Sequence, residues 1–198
     1  MKPVLYTVGH SIHKAEYFLE LLQSAGVNSV IDVRSIAASR FNPQFIKSRL
    51  SAFLGANGIR YFHLHEEFGA RQKKLELLDS TGRVDFEKVR ASEAFKSGVK
   101  FLKGETANGF IPALMCAEAD PLECHRFSMI CVALRNDFHI LHILKDKTVI
   151  ENDELEKLML KKLKRKLPSP TLFDNEENGS LLKTAFRLMN DRIGYRLG

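Results

Sequence analysis

The run Phe110-Ile111-Pro112-Ala113-Leu114-Met115 contains no polar side chain, and a strand that is apolar on both sides must be covered on both faces. That requirement points to a sheet buried between layers of helices, and the rest of the chain supplies both. Val4 to Val8, Val30 to Val33, Ile59 to Leu64 and His139 to Leu144 are apolar runs of strand length, separated by segments with helical patterning. The first such segment carries Tyr17, Phe18, Leu21 and Leu22 at helical spacing and stops at Gly26. Asn42-Pro43 offers an N-cap and a first-turn proline for a second helix running towards Gly58. A third is predicted from Asp85 to about Gly104, and Asn152 or Asp153 caps a basic amphipathic helix that ends before Pro168. Strands alternating with helices in this way predict an α/β fold, a mostly parallel sheet flanked by helices on both faces in a Rossmann-like three-layer arrangement.

With 198 residues and 44% hydrophobic composition the chain can bury one sizeable core, and residues 1–167 are expected to form a single α/β domain. Residues 168–198 read as a linker followed by a helical C-terminal extension over Leu181 to Arg192. No segment approaches the roughly 18 uninterrupted apolar residues of a membrane span. Met1-Lys2-Pro3 leads into a strand rather than into the apolar region of a signal peptide, so a cytoplasmic protein without membrane association is expected. The three cysteines make no disulfide framework and would remain thiols there. Much of the net charge of +6 is gathered in one place. Lys157, Lys161, Lys162, Lys164, Arg165 and Lys166 form a basic patch that suits a nucleic acid, although a solvated lysine-rich helix face ranks slightly ahead as its explanation. Ser169-Pro170-Thr171-Leu172-Phe173 loosely resembles short clamp-binding peptides, without their leading glutamine, and a tail that packs Leu172 and Phe173 onto its own domain ranks ahead of that reading.

Ligands of such sheets bind beyond the carboxyl ends of the strands, where three polar clusters are expected: Gly9-His10-Ser11, Asp32-Val33-Arg34, and Cys116 through Arg126. In the third, Asp120 and Pro121 are an N-cap and first helical residue, and Glu123 is placed to close a capping box. Helical spacing then aligns Cys124 with Phe127, Cys131 and Leu134 on a core-facing stripe. Cys116, just past the apolar strand, reads as either a small buried hydrophobe or a thiol activated by the helix end and Arg126. Glu118 is either a solvated loop acid or a general base, nucleophile or ribose ligand. His125 can exchange a proton, and Arg126 can hold a phosphate or carboxylate or instead pair with Asp32 or Glu118.

Spacing excludes some chemistry. A phosphatase-type thiol loop needs an arginine where Leu122 or Ile130 stands. The turn after the first strand lacks the glycine fingerprint of dinucleotide folds. Zinc is possible but weakly supported: it would have to recruit Cys116, Cys124 and His125, with no close thiol pair and with neighbours on a helix splaying apart. No metal ligand is therefore assigned, and the cofactor is left open.

Several landmarks resemble the uncharacterised bacterial and archaeal family known as domain of unknown function 488. They are Thr7-Val8-Gly9-His10-Ser11, Asp32-Val33-Arg34 with Ser39-Arg40, Gly58-Ile59-Arg60-Tyr61, Phe68-Gly69 with Arg71, and the segment from Cys116-Ala117-Glu118 to Cys124-His125-Arg126. Ala37 stands where that family usually has proline, Phe68 where it has leucine, and Ala70 where it has a second glycine. The resemblance implies an α/β fold with the motif residues lining a common cleft, and supplies no reaction. From residues and resemblance together, Cys116, Glu118, His125 and His10 are candidate catalytic groups, and Ser11, Asp32, Arg34, Tyr61, Arg71 and Arg126 candidates for binding a small anionic or nucleotide-like substrate. The function expected first is an enzyme on a nucleotide, nucleoside or nucleic-acid end. A noncatalytic nucleic-acid-binding module ranks second, and a thiol enzyme or redox sensor using Cys116 third.

Overall fold

The computed structural model describes residues 2–168 and 177–197, with the backbone alone for residues 177–180. The clamp-like Leu172-Phe173 segment lies outside the described residues. Strands β1 (Val4–Gly9), β2 (Ser29–Asp32), β3 (Arg60–His63), β4 (Pro112–Cys116), β5 (His139–Ile143) and β6 (Val149–Glu151) form a six-stranded sheet in the order β3-β2-β4-β1-β5-β6. All pairings are parallel except that of β5 with β6. The helices are α1 (Ala15–Ser24), α2 (Lys47–Ala56), α3 (His65–Phe68), α4 (Phe86–Ala91), α5 (Glu93–Ala107), α6 (Val132–Leu134), α7 (Asn152–Leu163) and α8 (Glu177–Ile193). Among the described residues no helix is long and apolar enough to cross a membrane.

The alternation of side chains along each strand divides the core in two. Val8, Val30, Ala113 and Met115 face Phe18, Leu21 and Leu22 of α1 and Leu50 and Leu54 of α2. Leu5, Ile31, Leu114 and Ile140 face the opposite layer, which holds Phe86 of α4, Phe95 and Leu102 of α5, Phe127, and Met159 of α7. All five residues of β4 are buried, as its apolar sequence requires. The chain therefore winds outwards from β1 through β2 to β3 with its helices on one face, and returns through β4 to β5 with its helices on the other. The direction of winding reverses between β1 and β4, which is where a doubly wound sheet opens a crevice for ligand.

Local detail departs from the sequence reading at several points. Asn42 makes no capping bond: Pro43–Phe45 is a single 3-10 turn, Ile46 is extended, and α2 starts afresh at Lys47. The helix predicted from Asp85 to Gly104 is two, because Ser92 is extended and its hydroxyl caps α5 through the Phe95 amide. Glu151 rather than Asn152 or Asp153 occupies the N-cap position of α7. Asn152 is buried instead, donating to Glu156 Oε1 at 2.9 Å and lying 3.3 Å from His142 Nε2. The helical C-terminal extension expected over Leu181 to Arg192 is present as α8, which lays Ala185, Phe186 and Met189 into the same core as α4 and α7. Its Asn190 accepts from the Phe86 amide and donates to the Val84 carbonyl.

His142 is fully buried between Thr7 and Asn152. Burial, reinforced by the positive charge of Arg126, lowers its pKa to about 3. In the unfolded chain it protonates near 6.5, so below that pH the unfolded state binds the extra proton and stability falls as the solution is acidified towards the native value. The expected slope is up to roughly 1.4 kcal/mol per pH unit from this group. His142→Gln, which keeps polar partners for Thr7 and Asn152, is expected to flatten the acid limb of a urea-midpoint series. An unchanged limb would show that His142 is not the group responsible.

Candidate functional site

The site is assembled at the reversal between β1 and β4. Gly9 pairs with Cys116, and the ladder continues past the strand ends as the His10 amide donates to the Cys116 carbonyl at 2.9 Å and the Ser11 amide to the Ala117 carbonyl at 3.0 Å. This holds the loop after β4 against the loop after β1 so closely that a Cβ on Gly9 would lie 2.0 Å from the Glu118 carbonyl oxygen.

Beyond β4 the chain does not enter one regular helix. Asp120 caps as expected, accepting the Leu122 amide at 2.8 Å, but the turn it caps is only the 3-10 segment Pro121–Glu123. Cys124 then takes extended angles, φ −132° and ψ 140°, before a π-helical turn over Arg126–Cys131. Glu123 closes no capping box; it reaches Lys162 of α7 at 2.8 Å and Arg192 of α8. Cys124 lies in the core with Phe127, Cys131 and Leu134, as its spacing predicts, but its extended backbone corrects the expectation that it splays away from His125, for it brings the Cys124 sulfur to the imidazole and towards Cys116. Wide π turns of this kind recur at functional sites.

One ligand-type atom from each of Cys116, Glu118, Cys124 and His125 consequently falls within 4.8 Å of the others. Glu118 Oε2 lies 2.8 Å from Cys116 Sγ and 3.2 Å from Cys124 Sγ, and His125 Nδ1 lies 3.8 Å from each sulfur. The imidazole is fixed from behind by its Nε2, which is 3.1 Å from the Val33 carbonyl and donates to it. The two thiols are shifted in opposite directions. Burial and the neighbouring Cys124 sulfur push the Cys116 pKa up. Burial disfavours the Cys124 thiolate too, but Cys116, Arg126 and His125 outweigh it and draw its pKa down. Glu118 is raised by burial of its carboxyl and by the Cys124 charge, and His125 is raised because that charge overcomes the effect of burial. Proton exchange among an acid, an imidazole and two sulfurs is what this arrangement can support.

A second cluster lies across the strand ends. Asp32, fully buried, accepts Arg34 Nε on Oδ1 at 2.9 Å and Nη2 on Oδ2 at 2.6 Å, and the Tyr61 hydroxyl donates to the same Oδ2 at 2.6 Å. Arg34 also donates to the Phe45 carbonyl and, at 3.1 Å, to His10 Nε2. Burial opposes the Arg34 charge, but the Asp32 bonds hold its pKa above the ordinary value. Tyr61 is raised by burial and by Asp32. His10 stacks on Phe45 at 4.2 Å and is kept neutral, its pKa lowered to about 4 by burial and by Arg34. Arg126 is fully buried and donates to the Glu118 and Ala119 carbonyls at 2.7 and 3.1 Å, with its Nε unpartnered among the described residues.

The sequence-nominated residues therefore divide three ways. Cys116, Glu118 and His125 meet at one point, joined by Cys124, which helical periodicity assigns to the core. His10, Asp32, Arg34 and Tyr61 form a bonded network beside them, with Ser11 at the loop junction in a left-handed conformation, φ 48°. Arg71 stands apart: its amide donates to Ser35 and its guanidinium lies over Tyr195, in a groove of about 1050 Å³ shared with His65, Lys73, Lys74 and Lys88. His63, which donates to the Arg34 carbonyl at 2.8 Å, belongs to the second cluster and carried no sequence signal beyond its place at the end of β3.

Neither the curated proteins nor the solved structures contain a match to this chain. The model of one family does match it, over residues 14–131, more than half of the 198-residue sequence and including both clusters apart from His10 and Ser11. The chain belongs to that family, the domain of unknown function DUF488.

Proposed function

We propose that the protein is an enzyme acting on a nucleotide, nucleoside or nucleic-acid substrate, with Cys116, Glu118, Cys124 and His125 as its reacting centre. The observation that carries this reading is the convergence of four reactive side chains within 4.8 Å at the winding reversal of the sheet, where doubly wound folds bind ligand. Glu118 is the proton-handling group, because it is the solvent-exposed member of the set and its carboxylate touches both sulfurs. Arg34 and Arg126 spend their donors on Asp32 and on backbone carbonyls, so they shape the site from within. The cations offered to a phosphate are those of the neighbouring groove, Arg71, Lys73 and Lys74, since Lys88 there is engaged by the Leu78 carbonyl. Turnover of a panel of nucleotides, nucleosides and short oligonucleotides tests the reading. Glu118→Gln is expected to lose about 100-fold or more of that turnover while keeping the wild-type urea midpoint. Absence of turnover across the panel, or a fully active Glu118→Gln protein, would count against it.

A second reading is favoured by α7. Lys157, Lys161, Lys164, Arg165 and Lys166 are exposed along it and the turn that follows, whereas Lys162 is engaged with Glu123. A noncatalytic module would bind nucleic acid through this face, with affinity falling steeply with salt and unaffected by Glu118→Gln. Salt-insensitive binding would rule it out.

A further inference from the structure

We propose that Cys116, Cys124, His125 and Glu118 form a zinc site at the carboxyl end of β4, the three buried residues as fixed ligands and Glu118 as the exchangeable one. This deepens the reading above by giving its centre a cofactor, and rests on that reading only in taking the same four residues as the centre.

The donor set carries the identification. Two sulfurs and an imidazole nitrogen select a borderline-soft ion, and zinc accepts this mixture in a tetrahedron. With bonds of about 2.3 Å to sulfur and about 2.0–2.1 Å to nitrogen or oxygen, the edges of that tetrahedron are roughly 3.3–3.8 Å. His125 Nδ1 already stands 3.8 Å from both sulfurs. Glu118 Oε2, at 2.8 and 3.2 Å from them, has only to move outwards by about half an ångström to reach such an edge, and as an exposed residue it has room to do so.

The surroundings are those of a ligand set. The His125 Nε2 bond to the Val33 carbonyl commits the proton to Nε2 and leaves the Nδ1 lone pair aimed at the sulfurs, the usual outer-shell device for a metal-binding histidine. The Arg126 amide points at Cys124 Sγ from 3.5 Å. Charge also balances: a divalent ion with two thiolates, a neutral imidazole and a carboxylate carries one net negative charge. Beside it lies the buried guanidinium of Arg126, which has no carboxylate partner among the described residues and an unpartnered Nε.

Burial sorts the ligands. Cys116, Cys124 and His125 are 3%, 1% and 7% exposed, which suits permanent coordination, while Glu118 reaches in from an exposed loop residue with its carboxyl against the sulfurs. Three protein ligands with a displaceable fourth is the pattern of zinc sites that bind a substrate or water. An ion held here at the end of β4 would stand at the ligand crevice itself.

The test uses the full chain, purified without chelator, equilibrated with zinc in competition with a metal indicator, and separately loaded with cobalt(II). The expected result is one zinc per chain and, with cobalt, a near-ultraviolet sulfur-to-metal charge-transfer band. Cys116→Ser and Cys124→Ser are each expected to weaken zinc binding by more than the roughly 10–100-fold that loss of an outer-shell partner costs. Glu118→Gln should weaken it less, and Cys131→Ala should not change it. A folded wild-type chain that binds no zinc, or one that binds cobalt without the sulfur band, overturns the proposal. Both of these outcomes are read on the wild-type chain, so they stand whether or not the cysteine variants fold. Because metal content and turnover are separate readouts, a chain that binds zinc yet turns over no nucleotide refutes the substrate reading alone. A chain that turns over nucleotides without zinc refutes the metal alone.

Discussion

Asp32→Ala is expected to destabilise the protein by about 3–5 kcal/mol, the cost of leaving a buried cation without its anion. Asp32 is fully buried and Arg34 nearly so, and the carboxylate is the meeting point of the Arg34 guanidinium, the Arg34 amide and the Tyr61 hydroxyl. Removing it strands both partners in a region of low dielectric, where an unpaired guanidinium is far more costly than in water. The pair itself adds much less than that loss suggests, because ion and counter-ion both lose hydration when they are buried. Replacing both together, as Asp32→Leu with Arg34→Met, should therefore recover most of the deficit. Urea denaturation of the two proteins separates these cases. A double variant no more stable than Asp32→Ala would mean that the pair stabilises outright rather than merely satisfying itself.

Gly9→Ala is the second large effect. The new methyl would sit 2.0 Å from the Glu118 carbonyl oxygen and 2.9 Å from the Ala119 Cα, both backbone atoms that no rotamer change can move aside. The loop after β4 is pinned by the Cys116 and Ala117 carbonyls accepting the His10 and Ser11 amides, and by Arg126 donating to the Glu118 carbonyl. Relieving the clash must break some of these bonds. The expected cost is about 3 kcal/mol, at the upper end for overpacking because the obstacle is main chain. Glu118 is carried away from the sulfurs at the same time, so turnover and zinc affinity should fall together with stability. Gly104 provides the control, since a Cβ there meets nothing within 4 Å, and Gly104→Ala should leave all three unchanged. A Gly9→Ala protein as stable as wild type would show that the two loops are not closely apposed.

The architecture was readable from the sequence because its signals are long and repeated. The uninterrupted apolar run ending at Met115 marked a strand buried on both faces, and the helical spacing of Phe18, Leu21 and Leu22 marked the layer that covers one of them. Short elements were not readable. The β6 strand is three residues long, and the turn before it contains no glycine, the left-handed position being taken by Lys147 at φ 68°.

The candidate site was legible in part for a related reason. Cys116, Glu118 and His125 were marked by lying just past a strand end, which is a statement about topology that sequence can make. Cys124 was hidden because its role depends on a single extended residue between a 3-10 turn and a π turn. Helical periodicity, the only available guide, places that side chain in the core. The same break removed the objection that neighbouring positions cannot converge on an ion. Arg34 and Arg126 looked like anion holders because guanidinium chemistry suits that role. Arg34 instead turns back on Asp32 two residues before it, and Arg126 folds back on two carbonyls of the loop after β4, an engagement set by the path of that loop.

X-ray absorption at the zinc edge, recorded on the full chain loaded with one equivalent of zinc, reads the convergence of these side chains from the ion's own position. Two sulfur neighbours at about 2.3 Å and two nitrogen or oxygen neighbours at about 2.0–2.1 Å are the expected shell, with the carboxylate contribution changing in Glu118→Gln. A shell of nitrogen and oxygen alone, or one sulfur in place of two, would contradict a centre built from Cys116, Glu118, Cys124 and His125.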